Sequence, residues 1–183
     1  MLSSTDAWTI LNEAEEIFAP EEVARAIETL AVSISAVLRE EYPLLLSVMG
    51  GAVVFTGQLL PMLRFPLDFD AIHATRYAGG TRGGELEWRV APKESIAGRT
   101  VLVLDDILDE GHTLAAIRAK MLAQGAKRFL SAVLVDKAIG RDKPIRADFV
   151  GLSVPNRYVF GCGMDVHGAW RNLPAIYAIK SEM

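Results

Sequence analysis

Apolar positions recur along the N-terminal forty residues with the period of a helix. They are separated by alternating steps of four and three residues, which places them on one helical stripe. The stripe consists of Val23, Ile27, Leu30, Ile34 and Val37. Pro20 suits a first helical position, and two glutamates follow it. The pattern predicts that this segment is helical and that its stripe covers a sheet.

Downstream of residue 40, apolar runs of strand length alternate with helical patterns. The runs predict strands at 44–49, 67–74, 100–105 and 129–136, and the helical patterns predict helices at about 52–62 and 113–124. This alternation is typical of an α/β protein with a parallel sheet. Beyond Gly140 the pattern is irregular and predicts only short strands, near 148–152, 157–160 and 175–179.

The order of these elements predicts one domain over residues 1–183. Its core is expected at about 40–140, with flanking helices. A small hood is expected from the N-terminal segment together with about 141–183. Residues 76–84 contain four glycines and two arginines without an apolar face, which predicts a long mobile loop of the kind that closes over ligands.

Residues 44–63 raise the alternative of a membrane span, because they carry no charge over 20 positions, which is the length of such a span. Gly50 and Gly51 divide the stretch into a strand-length run and a helix-length run that contains Pro61. A buried strand, a tight turn and a core helix are therefore predicted instead of a span.

Composition narrows the class of protein further. The chain has 183 residues, 19 basic and 23 acidic, and the formal net charge of -4 argues against nucleic-acid binding. Cys162 is the only cysteine, so no internal disulfide forms, which favours a reducing, cytoplasmic location. The first basic residue is Arg25, and the N-terminus lacks the layout of a signal peptide.

The most informative segment is 99–125. Residues 101–104 are an apolar run that predicts a buried parallel strand ending at Asp105 and Asp106, and a helical pattern begins about eight residues later. Ligands bind at the carboxyl ends of parallel strands, and a helix N-terminus attracts anions, so residues 109–113 are predicted to bind a phosphate. Gly111 permits close backbone approach, and the Thr113 hydroxyl can donate a further hydrogen bond.

Two carboxylates beside a phosphate repel it unless they face hydroxyl groups or a cation. A ribose with vicinal hydroxyls and Mg²⁺ bridging to a pyrophosphate would satisfy both requirements. The alternative is that Asp105 and Asp106 only end a strand and solvate a turn, but the buried strand before them and the helix after them favour a functional site. Neither a Walker loop nor G-x-G-x-x-G is present.

The segment VLVLDDILDEGHT resembles the phosphoribosyl pyrophosphate (PRPP) motif of type I phosphoribosyltransferases. Most of residues 40–175 resemble the hypoxanthine-guanine branch of that family. The resemblance implies a phosphoribosyltransferase-type parallel sheet with a hood. It also implies a PRPP-binding loop made of Asp105, Asp106, Ile107, Leu108, Asp109, Glu110, Gly111, His112 and Thr113.

The same resemblance assigns residues to the pyrophosphate and to catalysis. Gly50, Gly51 and Arg171 match positions that bind pyrophosphate, in a loop that often holds a non-proline cis peptide bond; many relatives have lysine where Gly50 stands. Tyr77 matches the catalytic loop, and Asp109 matches the general base near N7 of the purine. Arg76 departs from the serine common in relatives, and His112 from the lysine of some.

The resemblance also implies a purine site. Lys137 matches the lysine that contacts the 6-oxo group, Tyr158 the aromatic residue that stacks on the base, and Val159 the neighbour whose backbone reads its edge. Asp165 matches a carboxylate linked to metal and purine. With Asp105 and Asp106, it forms the implied set of Mg²⁺ ligands.

The implied function is a glycosyltransferase of purine salvage. It transfers the 5-phosphoribosyl group of PRPP to N9 of hypoxanthine or guanine, giving IMP or GMP and pyrophosphate. The partners would be these small molecules and further copies of the chain, in a dimer or tetramer, without nucleic acid or membrane. Two alternatives remain open: a transferase for another base such as xanthine, and a non-catalytic regulator that senses PRPP.

Overall fold

A computed structural model describes residues 2–76 and 86–180 of the chain. The helices are α1 (Ser4–Glu13), α2 (Pro20–Leu38), α3 (Val53–Leu59) and α4 (His112–Ala123), and a 3-10 turn (Leu60–Met62) continues α3. The strands are β1 (Glu15–Phe18), β2 (Leu44–Val48), β3 (Asp68–Arg76), β4 (Leu86–Val90), β5 (Thr100–Leu108), β6 (Arg128–Ala138), β7 (Phe149–Pro155), β8 (Val159–Phe160) and β9 (Ile176–Ala178).

Six strands form the main sheet, in the order β4-β3-β2-β5-β6-β7. All neighbours are parallel except β4, which runs antiparallel to β3 at one edge. This arrangement confirms the predicted α/β class with a parallel core. The carboxyl ends of β5 and β6, which carry the acidic and lysine motifs, therefore lie side by side at one edge of the sheet.

Both faces of the sheet are covered, and β5 shows how the sequence achieves this. Leu102 and Leu104 pack into the cluster that includes α2 and α3, whereas Val101 and Val103 pack into the cluster beneath α4. All four side chains are fully buried. A strand that is buried on both faces needs a continuous apolar run, which residues 101–104 supply.

Three short strands form a second, antiparallel sheet in the order β1-β9-β8. Helix α1 contacts the segment between β8 and β9 through Trp170, whose indole N–H donates a 2.8 Å hydrogen bond to the Ala7 carbonyl. The Trp8 and Trp170 rings meet edge to face with centroids 4.9 Å apart. The N-terminal segment is thereby attached to the residues that precede Arg171.

The structure corrects three predictions made from the sequence. The N-terminal forty residues are not all helical, because Glu15–Phe18 pairs with β9 as strand β1. Strand β7, which was predicted to lie in the hood, pairs with β6 in the main sheet and packs against α2. Strand β5 continues to Leu108, so the acidic pair lies within the strand instead of after it.

Strand β4 was not predicted, although Leu86, Trp88 and Val90 alternate with polar residues as a half-buried strand requires. The predicted loop 76–84 begins at the last residue of β3, and its remaining residues, including Tyr77, lie outside the described ranges. Residues 44–63 form β2, a turn, α3 and the 3-10 turn. Within the described ranges, no helix is long and apolar enough to cross a membrane.

Candidate active site

The acidic pair occupies the carboxyl-terminal part of β5. Asp105 accepts a hydrogen bond from the Asp106 backbone N–H, and Asp106 accepts one from the Ile107 N–H, each at 3.0 Å. Burial raises the pKa of Asp105 well above its usual value, and the neighbouring Asp106 charge adds to the increase. Burial also raises the pKa of Asp106. Two desolvated carboxyl groups therefore stand where hydroxyl groups or a cation would stabilise them.

Glycines alone allow three segments to meet at this pair. A Cβ on Gly51 would lie 2.0 Å from Asp106 Oδ2, and a Cβ on Gly163 would lie 1.9 Å from the Gly51 carbonyl oxygen. Gly163 also has a φ of +103°, which favours glycine. The Met49–Gly50 peptide bond is cis, as the resemblance implies for this loop. Sequence reasoning missed Gly163, although glycines on both sides of Cys162 are visible in the sequence.

The predicted phosphate loop leads directly into α4. Gly111 is its N-cap and adopts a left-handed conformation with φ of +81°. A Cβ at this glycine would be 3.3 Å from Ile145 Cγ2 and 3.4 Å from Leu108 Cδ1, so a larger residue would crowd the loop. The free N–H groups of the first helical turn make this a suitable position for a phosphate.

A cavity of about 560 Å³ lies beside the loop. It is bounded by the turn after β2, the end of β5, the start of α4, and one residue each from β3 and the C-terminal segment. The lining residues are Val48, Met49, Gly50, Gly51, His73, Asp105, Asp106, Ile107, Leu108, Asp109, Glu110, Gly111, His112, Thr113, Leu114 and Arg171. The residues predicted for PRPP and pyrophosphate therefore meet in one cavity.

A smaller cavity of about 200 Å³ adjoins the first and shares Asp106, Ile107 and Asp109 with it. Its other lining residues are Lys137, Tyr158, Val159, Met164 and Asp165. The four residues predicted for the purine are thus brought together, and Met164 is an addition that its position in the sequence did not indicate.

Lys137 and Asp109 form an ion pair at the junction of the two cavities. Lys137 Nζ lies 2.6 Å from Asp109 Oδ2. The lysine side chain is only 11% exposed, whereas the aspartate side chain is 49% exposed. A cationic donor and an anionic acceptor therefore stand side by side at this wall of the small cavity.

Asp165 and Arg171 are held by each other and by the backbone. Arg171 contacts Asp165 Oδ1 at 2.5 Å, and the Gly168 N–H donates to Asp165 Oδ2 at 2.7 Å. Arg171 also donates to the Gly163 carbonyl at 2.6 Å. The Tyr158 hydroxyl donates to the Asp165 carbonyl at 3.1 Å, and partial burial followed by the Asp165 charge raises the pKa of this tyrosine.

Among the described residues, no group of three or more histidine, cysteine, aspartate or glutamate side chains could hold a metal ion. Asp105 and Asp106 nevertheless fit Mg²⁺, because this ion prefers oxygen ligands and completes its shell with water and substrate phosphates. Both carboxylate oxygens of Asp165 already accept a hydrogen bond or an ion-pair contact.

Burial, followed by the Asp106 charge, raises the pKa of Cys162 to about 11, so it is a neutral thiol rather than a nucleophile at pH 7.

These features define an α/β protein with two adjoining cavities at the carboxyl ends of its parallel strands, one bounded by buried carboxyl groups and a helix N-terminus and the other by a lysine–aspartate pair. The sequence profile described as the phosphoribosyl transferase domain matches residues 13–167. Over 165 residues the chain is 31% identical to the hypoxanthine-guanine phosphoribosyltransferase of Bacillus subtilis, covering 90% of this chain and 92% of that protein. The chain belongs to the phosphoribosyltransferase family, in its hypoxanthine-guanine branch.

Other relatives agree with this assignment. The hypoxanthine-guanine-xanthine phosphoribosyltransferase of Tritrichomonas foetus is 33% identical over 170 residues, 91% of this chain and 92% of that protein. A Staphylococcus aureus hypoxanthine phosphoribosyltransferase structure superposes with a TM-score of 0.87 at 26% identity, covering 94% and 95% of the two chains. The bifunctional protein TilS/HprT of Listeria innocua is 33% identical over 174 residues, and the chain spans only 27% of its length.

The glycine packing generates a test. Gly51→Ala is expected to disrupt the site and destabilise the protein by about 1–3 kcal/mol, because its Cβ must displace the Asp106 carboxylate. The matched control is Gly57→Ala, whose Cβ has no neighbour within 4 Å and lies within α3. We expect this control to stabilise the protein by about 0.5–1 kcal/mol. Urea unfolding measures both, and equal stabilities of the two variants would contradict the packing argument.

Proposed function

We propose that the protein transfers the 5-phosphoribosyl group of PRPP to N9 of hypoxanthine or guanine, releasing pyrophosphate and forming IMP or GMP. The observation that carries the proposal is the Lys137–Asp109 pair. A 6-oxopurine protonated at N7 presents an acceptor, O6, beside a donor, N7–H, along one edge. A lysine donor beside a carboxylate acceptor complements that edge. The relatives from Bacillus subtilis and Staphylococcus aureus are named for hypoxanthine, with or without guanine, and the relative from Tritrichomonas foetus is named for xanthine as well; none of the three is named for xanthine alone or as a regulator.

The reaction breaks the bond between C1 of the ribose and pyrophosphate and forms a bond between C1 and N9. As N9 attacks, Asp109 accepts the proton from N7, acting as the general base. Positive charge develops at C1 while the leaving group departs, so catalysis comes mainly from positioning and electrostatics. Asp105 and Asp106 would bind the ribose hydroxyls directly or through the metal.

The remaining roles follow the two cavities. Residues 109–113 would bind the 5-phosphate through the first turn of α4. Gly50, Gly51 and Arg171 would bind pyrophosphate. Tyr158 would stack on the base and Val159 would read its edge through the backbone. Tyr77, which lies outside the described ranges, would take part in catalysis as the resemblance implies.

Mg²⁺ would neutralise charge on the departing pyrophosphate when bound near Asp105 and Asp106. Asp165 would be the carboxylate for a second ion, as the resemblance implies, although Arg171 already pairs with one of its oxygens. We further propose that residues 1–183 act as a single domain, that the chain forms a homo-oligomer as the resemblance implies, and that it works in the cytoplasm. The buried, unpaired Cys162 supports a reducing compartment.

A pyrophosphate-release assay with PRPP and Mg²⁺ tests the function, run in parallel with hypoxanthine, guanine, xanthine and adenine. We expect release with hypoxanthine or guanine that disappears when EDTA removes the metal. Measurable PRPP binding without release for any base would refute the transferase and support a PRPP-sensing regulator.

Asp109→Asn is expected to lower kcat by about 10²- to 10⁴-fold, because a positioned base is lost, while PRPP affinity changes far less. Steady-state kinetics and PRPP titration separate these effects. Asp142→Asn, an exposed aspartate in the β6–β7 connection, serves as the control and is expected to behave as the wild type. Unchanged turnover in Asp109→Asn would remove this residue from the role of base.

Lys137→Ala is expected to weaken the preference for hypoxanthine over adenine. The lysine donor matches the 6-oxo group but would face the 6-amino donor of adenine, which costs roughly 1–3 kcal/mol for an unpaired buried group. Ratios of kcat/KM for the two bases measure the preference. Lys127→Ala, just before the opposite end of β6, is the control. A preference that survives in Lys137→Ala would show that another group selects the base.

A further inference from the structure

The connection between β6 and β7 contacts the phosphate loop, residues 109–113. None of its residues has a role in the function proposed above. Arg141 pairs with Glu110 at the surface. Ile145 packs close to Gly111, because a Cβ on this glycine would lie 3.3 Å from Ile145 Cγ2. Lys143 reaches furthest inward, and its side chain is only 10% exposed.

Lys143 joins the ends of two strands. Its ammonium group donates to the Leu108 carbonyl at 2.6 Å and to Asp136 Oδ1 at 2.5 Å. Leu108 and Asp136 are opposite each other in the β5–β6 ladder, at its last paired position. Beyond that position β5 leads into the phosphate loop, and β6 leads directly to Lys137. The contact therefore holds strands β5 and β6 together just before the phosphate loop and Lys137.

The ion pair that joins this connection to the phosphate loop, Arg141–Glu110, is more exposed to solvent than the Lys143 contacts. The side chains of Arg141 and Glu110 are 65% and 55% exposed, and exposed ion pairs contribute little because solvent screens them. A nearly buried ammonium with a carbonyl and a carboxylate as acceptors makes stronger, charge-assisted hydrogen bonds. Lys143 is thus the group that fixes this junction.

We propose that Lys143 is a positioning residue that fixes the phosphate loop, residues 109–113, relative to Lys137. A nucleotide must bind the loop through its phosphate and Lys137 through its purine at the same time. A fixed distance between these two groups means that binding one part places the other correctly. This inference rests on the proposed function for its consequence in catalysis, but its structural part is independent of it.

The structural part is tested by amide hydrogen exchange in the ligand-free protein. Lys143→Met keeps the aliphatic stem and removes both hydrogen bonds. The Ala115 N–H, which donates to the Gly111 carbonyl at 3.0 Å, and the amides at the end of the β5–β6 ladder should exchange about tenfold faster in this variant, because local opening of the loop becomes easier. Lys143→Arg, which retains the charge and donors, should restore slow exchange. Arg146→Met, an exposed change in the same connection, should match the wild type.

Two outcomes of the exchange experiment would overturn the proposal. One is unchanged exchange of the Ala115 N–H and of the amides at the end of the β5–β6 ladder in Lys143→Met. The other is a uniform increase that includes β2 and α2, because that would show general destabilisation instead of a local effect.

The functional part is tested by calorimetric titration of IMP and by steady-state kinetics, well below the melting temperature of each variant. IMP affinity of Lys143→Met should fall about tenfold, and kcat/KM for hypoxanthine should fall by a similar factor, because the loop is less well placed. Lys143→Arg should recover both. Wild-type IMP affinity in Lys143→Met would overturn the positioning role.

The two tests distinguish the proposals. If the wild-type protein binds no IMP and releases no pyrophosphate, the proposed function fails. The exchange data would still decide whether Lys143 fixes the loop.

Discussion

The contact between Gly51 and the Asp106 carboxylate is the constraint on which the rest of the site depends. There is no room for a side chain at Gly51, and Gly163 approaches the Gly51 carbonyl just as closely from the C-terminal segment. The turn after β2, the end of β5 and the segment before Arg171 therefore share one point of contact. Because all three segments line the cavities, their separation sets the shape of both.

The acidic side chains around this contact differ in whether they have a cationic partner. Asp109, Asp136 and Asp165 each have a cationic partner, in Lys137, Lys143 and Arg171. Among the ion pairs that the described residues form, neither Asp105 nor Asp106 takes part. Their raised pKa values reflect burial, which the Arg171 charge offsets only in part at Asp106, so a cation or a set of hydroxyl groups would stabilise the two carboxylates.

The ion pairs also connect parts of the chain that lie far apart in sequence. Arg171 joins Asp165 and the Gly163 carbonyl, and the preceding residue, Trp170, attaches to α1 through Ala7. The side of the site formed by Asp165 and Arg171 thus depends on helix α1, and the side formed by the phosphate loop and Lys137 depends on the ends of β5 and β6. A phosphoribosyltransferase of this construction would bind its substrates between a rigid sheet edge and a small second sheet.

The sequence by itself determined the elements whose signals are local. Residues 101–104 form a buried strand because every position is apolar, and α4 is helical where Leu114, Ile117 and Met121 recur on one buried face. The resemblance of the motif around Asp105 predicted the phosphate loop. Matches in the same order along the chain predicted four residues for the purine, and all four line the smaller cavity. These signals need no knowledge of distant segments.

Only the tertiary structure decided the features that arise from pairing between distant segments. Glu15–Phe18 is a strand because β9 pairs with it, and β7 belongs to the main sheet because β6 and α2 cover it. The engagement of both Asp165 oxygens depends on where the chain returns after β8. Likewise, position 163 requires glycine because the Gly51 carbonyl, more than a hundred residues earlier in the sequence, leaves no room for a Cβ. The residues next to Gly163 in the sequence do not indicate this contact.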